Sequence, residues 1–184
     1  MIVTGGIFRG RKVKTHKTRE VRPTSAKLRE SIFNIICSMR SLQGAVVLDL
    51  FAGSGIVGIE ALSRGAGKVY FVEKNHRAAA LLKENLSNFE TCYEVMVSDA
   101  LQAIDRMSGE AFDIIFIDPP YASDLIELSL KKIAGNKLIK PDGLIITERS
   151  SGRNIDKLIK SAGFELIKSR NYGDSAIDIL RAQF

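Results

Sequence analysis

The sequence has few of the residues that most often bind metal ions, with two cysteines and two histidines among 184 residues. Cys37 and Cys92 lie far apart in the chain, and neither belongs to a CxxC pair. We therefore expect both to be small, buried, apolar residues. His16 and His76 form no ligand cluster with them, so the sequence predicts no metal site.

Long hydrophobic runs are also missing, since no apolar stretch approaches the ~20 residues that a membrane-spanning helix needs. Residues 1–6 lack the apolar core of a signal peptide. The composition, with 45% apolar and 26% charged residues, is that of an ordinary globular protein. We expect a cytoplasmic protein without membrane contacts that folds as one domain over residues 1–184.

Negative charge is scarce at the N-terminus. Residues 1–40 carry ten Lys or Arg against Glu20 and Glu30, a net charge of +8, so the other 144 residues sum to −2. We interpret residues 1–40, the basic N-terminal segment, as a surface for a polyanion and residues 41–184 as the core. The basic side chains predicted to contact phosphates are Arg9, Arg11, Lys12, Arg22, Lys27 and Arg29.

The basic N-terminal segment is predicted to form a β-hairpin, Met1–Thr4 with Lys12–Thr15, followed by a polar loop and a helix. Thr24 and Ser25 are typical of a helix start because both residue types cap helices well. We expect the apolar residues of this helix to pack on the core while Lys27 and Arg29 project elsewhere. The apolar face comprises Leu28, Ile32, Ile35, Ile36 and Met39.

The core is organised around residues 46–58, which predict a buried strand, a glycine turn and a helix start. Gly53 and Gly55 let the backbone turn sharply and approach a ligand closely. In this type of βα unit the ligand binds beyond the carboxyl end of the strand. Gly53-x-Gly55-x-x-Gly58 also matches the dinucleotide fingerprint, although that pattern alone is weak evidence.

Asp49 decides which ligand the glycine turn favours. A carboxylate at the strand tip would repel a pyrophosphate by several kcal/mol at an effective dielectric of roughly 20. S-adenosyl-L-methionine has no phosphate and carries an ammonium and a sulfonium, both of which favour a nearby carboxylate. The sequence therefore favours S-adenosyl-L-methionine over NAD. The alternative is that Asp49 is only a cap or turn residue.

The rest of the core alternates strands and helices, which predicts an α/β fold with a doubly wound, mostly parallel sheet of seven strands. We expect strands at 46–50, 68–73, 93–97, 112–117 and 143–148, and helices near 56–64, 76–88, 100–107, 123–135 and 152–161. After Gly163, two consecutive strands, Phe164–Lys168 and Ala176–Ala182, predict a closing hairpin at the sheet edge.

Two further carboxylates follow predicted strands. Glu73 ends the second strand, where a carboxylate can accept hydrogen bonds from both ribose hydroxyls of an adenosine ligand. Asp99 follows the third strand and suits the adenine amino group. Each has a simpler alternative, a solvated strand-end acid for Glu73 and a helix cap for Asp99.

The strongest local signal is Asp118-Pro119-Pro120-Tyr121 after a buried strand. The prolines stiffen the loop, and Tyr121 can stack on a nucleobase. Asp118 and a proline-loop carbonyl can accept both hydrogens of an exocyclic NH2, which aims its lone pair at an electrophilic methyl group. Because strand order reverses beside the first strand, we expect the Asp49 and Asp118 loops to be neighbours.

These residues resemble those of class I methyltransferases that act on exocyclic amines. More narrowly, the chain resembles the RsmD family, bacterial guanine-N2 methyltransferases of small-subunit ribosomal RNA. The matching motifs are Gly5-Gly6-x-x-Arg9-Gly10-Arg11-Lys12, Arg22-Pro23-Thr24, Arg29-Glu30, Phe33-Asn34, Leu48 through Gly55, and Glu60 through Gly65.

The resemblance implies a Rossmann-like methyltransferase fold, an S-adenosyl-L-methionine donor and a guanine in a hairpin loop of 16S ribosomal RNA within the small subunit. It implies catalytic roles for Asp118, Pro119, Pro120 and Tyr121, which would hold the guanine. The implied cofactor site comprises Asp49, Phe51, Ala52, Gly53, Gly55, Glu73, Asp99 and Ala100.

Three other functions remain open from the residues alone. A DNA adenine-N6 methyltransferase shares the Asp-Pro-Pro-Tyr loop, but a chain this short has no separate target-recognition domain. An NAD-dependent oxidoreductase is disfavoured by Asp49 and by the lack of a proton-transferring His or Lys near the predicted site. A non-catalytic RNA-binding protein would leave the Asp118 loop unexplained.

Overall fold

The structure is a computed structural model that describes residues 1–15, 26–120 and 124–184. It divides into two compact units, Met1–Ser98 and Asp99–Phe184. The single domain expected from the chain length stays a prediction. Among the described residues, no helix is both long and apolar enough to cross a membrane.

The first unit contains three parallel strands in the order β3-β2-β1. Its elements are α1 (Ala26–Met39), β1 (Val46–Asp49), α2 (Ile56–Ser63), β2 (Lys68–Glu73), α3 (His76–Leu86) and β3 (Tyr93–Val97). Val46 pairs with Lys68 and Val69 with Tyr93, so the carboxyl ends of β1 and β2 lie at the same edge.

The burial pattern explains these elements. The central residues of β2, Val69 through Val72, are buried, as expected for a parallel strand covered on both faces. On α3, the buried residues recur three or four positions apart, at Ala79, Leu82, Asn85 and Leu86. Asn75 caps this helix, because its side-chain oxygen accepts hydrogen bonds from the amides of Arg77 and Ala78.

The second unit pairs β4 in parallel with β5 and closes with two antiparallel strands, in the order β4-β5-β7-β6. Its elements are α4 (Ala100–Arg106), β4 (Phe112–Ile117), α5 (Leu125–Gly135), β5 (Ile139–Ser150), α6 (Asp156–Ser161), β6 (Phe164–Tyr172) and β7 (Ser175–Ala182). The structure confirms the predicted α/β class, with seven mostly parallel strands and a closing hairpin.

Several predicted elements differ in extent, among them β6, which runs to Tyr172 rather than to Lys168, and α6, which begins at Asp156 rather than near 152. β5 begins at Ile139 rather than at 143, because its register with β4 shifts between Phe112 and Ile114 and takes up the residues around Pro141. The predicted N-terminal hairpin is reduced to one antiparallel bridge, Ile2 to Lys12. The predicted helix start at Thr24 and Ser25 lies outside the described residues, and α1 is described from Ala26.

The prediction that both cysteines are buried is wrong, since Cys37 and Cys92 are exposed. Cys37 lies on α1 beside Ile36, but the buried face of that helix runs through Ile32, Phe33 and Ile36. Cys92 immediately precedes β3, whose first residues are exposed. No group of His, Cys, Asp or Glu among the described residues is arranged to hold a metal ion.

Candidate functional site

The glycine turn after β1 has the predicted backbone. Gly53 and Gly55 have φ angles of +53° and +82°, in the left-handed region that favours glycine. Gly58 serves another purpose, because a Cβ there would lie 2.2 Å from Cε1 of Phe71. Its missing side chain lets α2 pack closely on β2, which is the role of the third glycine in dinucleotide-type turns.

Asp49 lies at the tip of β1 with 4% of its surface exposed. Its Oδ2 accepts a hydrogen bond of 3.0 Å from the backbone amide of Gly58, so Asp49 does help to cap α2. Burial raises the pKa of this carboxyl to about 7; the Gly58 amide opposes the rise and the charge of Glu73 adds to it. A positive charge close to such a buried carboxyl would stabilise its ionised form.

Glu73 at the end of β2 joins the same cluster. Its Oε2 accepts a hydrogen bond of 2.9 Å from the amide of Gly53, and its Oε1 accepts one of 2.7 Å from the amide of Asn75. The structure therefore brings the glycine turn and the carboxyl groups of Asp49 and Glu73 together at one edge. Two acidic groups around a turn rich in backbone amides can bind the polar and cationic parts of a small ligand.

Asp99 performs the simpler of its two predicted roles. Its side chain caps α4 by accepting a hydrogen bond of 2.9 Å from the amide of Leu101, and Ala100 beside it is buried. The contact of Asp99 with an adenine amino group stays a prediction. Ser98, the last residue of the first unit, has a buried hydroxyl that forms no hydrogen bond with the described residues.

The Asp118 loop follows β4, all six residues of which are buried. Asp118 emerges exposed, Pro119 is buried and Pro120 is exposed. β4 ends at Ile117, which pairs with Thr147 of the parallel strand β5. The loop therefore begins at the carboxyl end of β4, as predicted. Tyr121, the residue predicted to stack on a base, lies outside the described residues.

An ion pair that the sequence did not predict connects β5 with β7 and with the loop that follows β5. Nε of Arg149 lies 2.5 Å from Oδ2 of the fully buried Asp178, and Nη1 donates to the carbonyl of Arg153 at 2.6 Å. Ser169 also donates to Asp178. The available signal was an aspartate between Ile177 and Ile179 in an otherwise apolar strand, which indicates a buried, paired charge.

Four of the predicted phosphate contacts are exposed: Arg9, Arg11, Lys12 and Lys27. The guanidinium of Arg11 lies over the ring of Phe8, 4.9 Å from its centroid, and donates to the carbonyl of Asn88 at 2.8 Å. Arg22 lies outside the described residues.

The prediction that Arg29 contacts phosphates is wrong. Arg29 is 1% exposed and does not extend the basic surface. Its Nε lies 3.3 Å from Oε2 of Glu60, and another guanidinium nitrogen donates to the carbonyl of Ile2. Arg29 stands three and four positions before Ile32 and Phe33, so it shares their buried face of α1.

Glu60 on α2, fully buried, is the centre of this cluster and was missed as an acceptor. It accepts hydrogen bonds from the amide and hydroxyl of Thr4, at 2.8 and 2.6 Å, and from Nε of Arg64 at 2.9 Å. Burial by itself raises the pKa of Glu60, but the hydrogen bonds from Thr4 and Arg64 outweigh burial and lower it. The charged carboxylate thus fastens the first residues of the chain to α2.

The whole chain resembles known proteins. The family model described as conserved hypothetical protein 95 matches residues 1–181. The chain belongs to this family, the RsmD family. The ribosomal RNA small subunit methyltransferase D of Haemophilus influenzae is 33% identical over 175 residues, which cover 93% of this chain and 88% of that protein. The Escherichia coli protein of the same name is 31% identical over 146 residues, 79% of this chain and 73% of its own.

A solved structure gives the same result for the fold. The Escherichia coli protein yhhF, described as a candidate methyltransferase, superposes with a TM-score of 0.85 at 28% sequence identity. The superposition covers 100% of this chain and 98% of that one. The fold of this RsmD-family member is therefore the Rossmann-like fold of methyltransferases, as predicted.

Proposed function

We propose that the chain transfers a methyl group from S-adenosyl-L-methionine to the exocyclic N2 amine of a guanine in 16S ribosomal RNA. The observation that carries this proposal is the buried carboxyl of Asp49 behind a left-handed glycine turn, in a member of a methyltransferase family. The ribosomal RNA named for the curated relatives supports the substrate class.

The first unit would bind the donor. S-adenosyl-L-methionine supplies an electrophilic methyl group on a positively charged sulfur. Asp49 fits a cation better than a pyrophosphate, because an opposite charge offsets the cost of keeping a buried carboxylate ionised. Glu73 retains acceptor capacity for ribose hydroxyls beside the Gly53 amide that it already binds. The proposed donor site also includes Phe51, Ala52 and Gly55 of the first unit, together with Asp99 and Ala100 at the start of the second.

The second unit would bind the amine. Asp118 is exposed at the end of a fully buried strand, and the adjoining prolines restrict the backbone that carries its carboxylate. Asp118 and a carbonyl of the proline loop would accept both N2 hydrogens, and Tyr121 would stack on the guanine. Positioning of two bound reactants can supply on the order of 7–11 kcal/mol. That the donor and amine loops are neighbours stays a prediction from the sequence.

The basic N-terminal segment would hold the RNA backbone. Arg9, Arg11, Lys12 and Lys27 are exposed and would contact phosphates without reading sequence, and Arg22 is included on its sequence alone. Arg29 is no longer part of this set. We propose the small ribosomal subunit, assembled or assembling, as the partner and the cytoplasm as the location.

The test is methyl transfer from labelled S-adenosyl-L-methionine to unmodified small ribosomal subunits, with duplex DNA as the competing substrate. We expect label in the ribosomal RNA, and label in DNA alone would show a DNA adenine methyltransferase instead. Calorimetry separates the oxidoreductase alternative, because the proposal requires that S-adenosyl-L-methionine binds and that NAD does not.

A further inference from the structure

One buried side chain contacts both the glycine turn and the basic N-terminal segment. Asn85 lies on α3 with 3% of its surface exposed. Its Oδ1 accepts a hydrogen bond of 2.9 Å from the amide of Lys14. Its Nδ2 donates to the carbonyls of Lys14 and Ser54, both at 2.9 Å. Both hydrogens of the carboxamide nitrogen are therefore used, and the side chain has one defined orientation.

The two backbone positions that Asn85 joins belong to different proposed sites. Ser54 lies between Gly53 and Gly55, in the turn that Glu73 holds through the Gly53 amide. Lys14 is exposed, follows the predicted phosphate contact Lys12 by two residues, and pairs through Nζ with Glu84 at 2.5 Å. The carboxamide of Asn85 thus hydrogen-bonds both segments.

Other contacts attach residues 1–8 to the unit without Asn85. Glu60 binds Thr4, and the hydroxyl of Ser63 accepts from the amide of Phe8 at 2.9 Å. The Asn85 contacts act further along, at Lys14, where the segment lies next to the glycine turn. The first residues of the chain are therefore held to the unit without the Asn85 carboxamide. What the carboxamide adds is the link between the two proposed sites.

We propose that Asn85 is a positioning residue that couples donor binding to RNA binding. This inference rests on the proposed function. A donor that orders the glycine turn fixes the position of the Ser54 carbonyl. Because the Asn85 carboxamide donates to that carbonyl, it is fixed as well, and it in turn orders the backbone at Lys14. RNA bound at the basic N-terminal segment then has less backbone to order, so it binds more tightly. By linkage, RNA tightens the donor by the same factor.

The coupling is measured as the affinity for unmodified small ribosomal subunits with and without saturating S-adenosylhomocysteine. We expect the wild type to bind about fivefold or more tightly with the nucleoside, at the lower end of typical couplings. Asn85→Ala reduces this factor to less than about twofold. Asn88→Ala is the matched control, since its Nδ2 donates only to carbonyls of Glu84 and Asn85 in the last turn of the same helix region, and it keeps the wild-type factor.

A wild-type factor of one, or an unchanged factor in Asn85→Ala, overturns the inference while leaving the proposed function intact. Failure of the wild type to bind either S-adenosylhomocysteine or the subunits would instead overturn the proposed function. Hydrogen exchange on the wild type provides a readout that does not depend on the variant folding. We expect the Lys14 amide to exchange at least about fivefold more slowly with the nucleoside bound, and equal rates would contradict the coupling.

Discussion

At the scale of single residues, the carboxyl of Asp49 sets the electrostatics of the proposed donor site. Burial disfavours its charged form and raises its pKa to about 7, so without a nearby cation the group holds a proton up to about that pH. A cationic ligand would favour the charged form. The same group therefore lowers the stability of the ligand-free protein near neutral pH and, in the proposed donor site, would favour a cationic ligand.

The pH dependence of stability tests this electrostatic role. Between pH 4 and 7 the folded protein keeps the Asp49 proton that the unfolded chain has lost, because the pKa is about 7 instead of 3.8. The contribution of Asp49 to stability therefore falls as the pH rises through this window. Asp49→Asn keeps an oxygen for the Gly58 amide, and we expect it to be more stable than the wild type at pH 8 by up to about 4 kcal/mol. Urea denaturation from pH 4 to 8 checks this, and a constant difference across the range would contradict it.

Asp118 makes a separable prediction at the same scale. If its carboxylate holds the target amine, Asp118→Ala abolishes methyl transfer while the affinity for S-adenosyl-L-methionine stays within a few fold, as single-turnover assays and calorimetry would show. Asp142→Ala is the control, because Asp142 is an exposed carboxylate near the amino end of β5. We expect this variant to keep wild-type turnover. Unchanged turnover in Asp118→Ala would remove this residue from the mechanism.

At the scale of elements, a buried ionic cluster joins the start of the chain to α1 and α2. Glu60 is fully buried and Arg29 is 1% exposed, so each charge depends on the other and on the Thr4 and Ile2 backbone. Burial lowers the pKa of Arg29, and the charge of Glu60 opposes that effect. Such a cluster specifies one docking position for the first residues, since a displaced segment would leave buried charges unpaired.

Breaking the cluster on one side is costly. Glu60→Gln removes the negative charge that lies 3.3 Å from the buried Arg29 guanidinium, and we expect a loss of about 3–5 kcal/mol in the free energy of unfolding. Glu84→Gln is the control, because the Lys14–Glu84 pair is more than half exposed and such pairs contribute less than about 1 kcal/mol. Adding Arg29→Met to Glu60→Gln should recover part of the loss. A loss of under about 1 kcal/mol for Glu60→Gln in urea denaturation would show that the cluster is not paired as described.

The elements also show which features the sequence could predict. β2, β3 and β4 have the predicted bounds, and for β2 and β4 an apolar run with an acidic residue at its end carries a strong local signal. The partner of Arg29 lies 31 residues away, so its burial had no local signal beyond its spacing from Ile32. Asn85 was missed for the same reason, since its two backbone partners are distant in sequence.

At the scale of the whole molecule, charge is distributed unequally along the chain. Residues 1–40 carry +8 and the other 144 residues −2. The burial of Arg29 takes one positive charge out of the surface that the sequence suggested, while Arg9, Arg11, Lys12 and Lys27 remain exposed. A polyanion would bind such a segment largely by counterion release, which makes its affinity sensitive to salt.

Salt dependence tests the role of this charge. We expect the triple variant Arg9→Gln, Arg11→Gln, Lys12→Gln to lower the affinity for unmodified small subunits and to reduce the slope of log affinity against log salt by about 2. The charge-matched control replaces three exposed lysines of the second unit with glutamine: Lys131, Lys157 and Lys160. Filter binding between 50 and 200 mM salt, the range in which such affinities change most, gives both slopes. Equal slopes for the two variants would place the RNA surface elsewhere.

In the proposed reaction, a donor bound beside Asp49 methylates a guanine amine held at Asp118. Its most direct test is mass spectrometry of the nucleosides released from small ribosomal subunits after reaction with isotopically labelled S-adenosyl-L-methionine. We expect label in N2-methylguanosine from 16S ribosomal RNA and none when Asp118→Ala is used. Label in another nucleoside, or equal labelling by the variant, would contradict it.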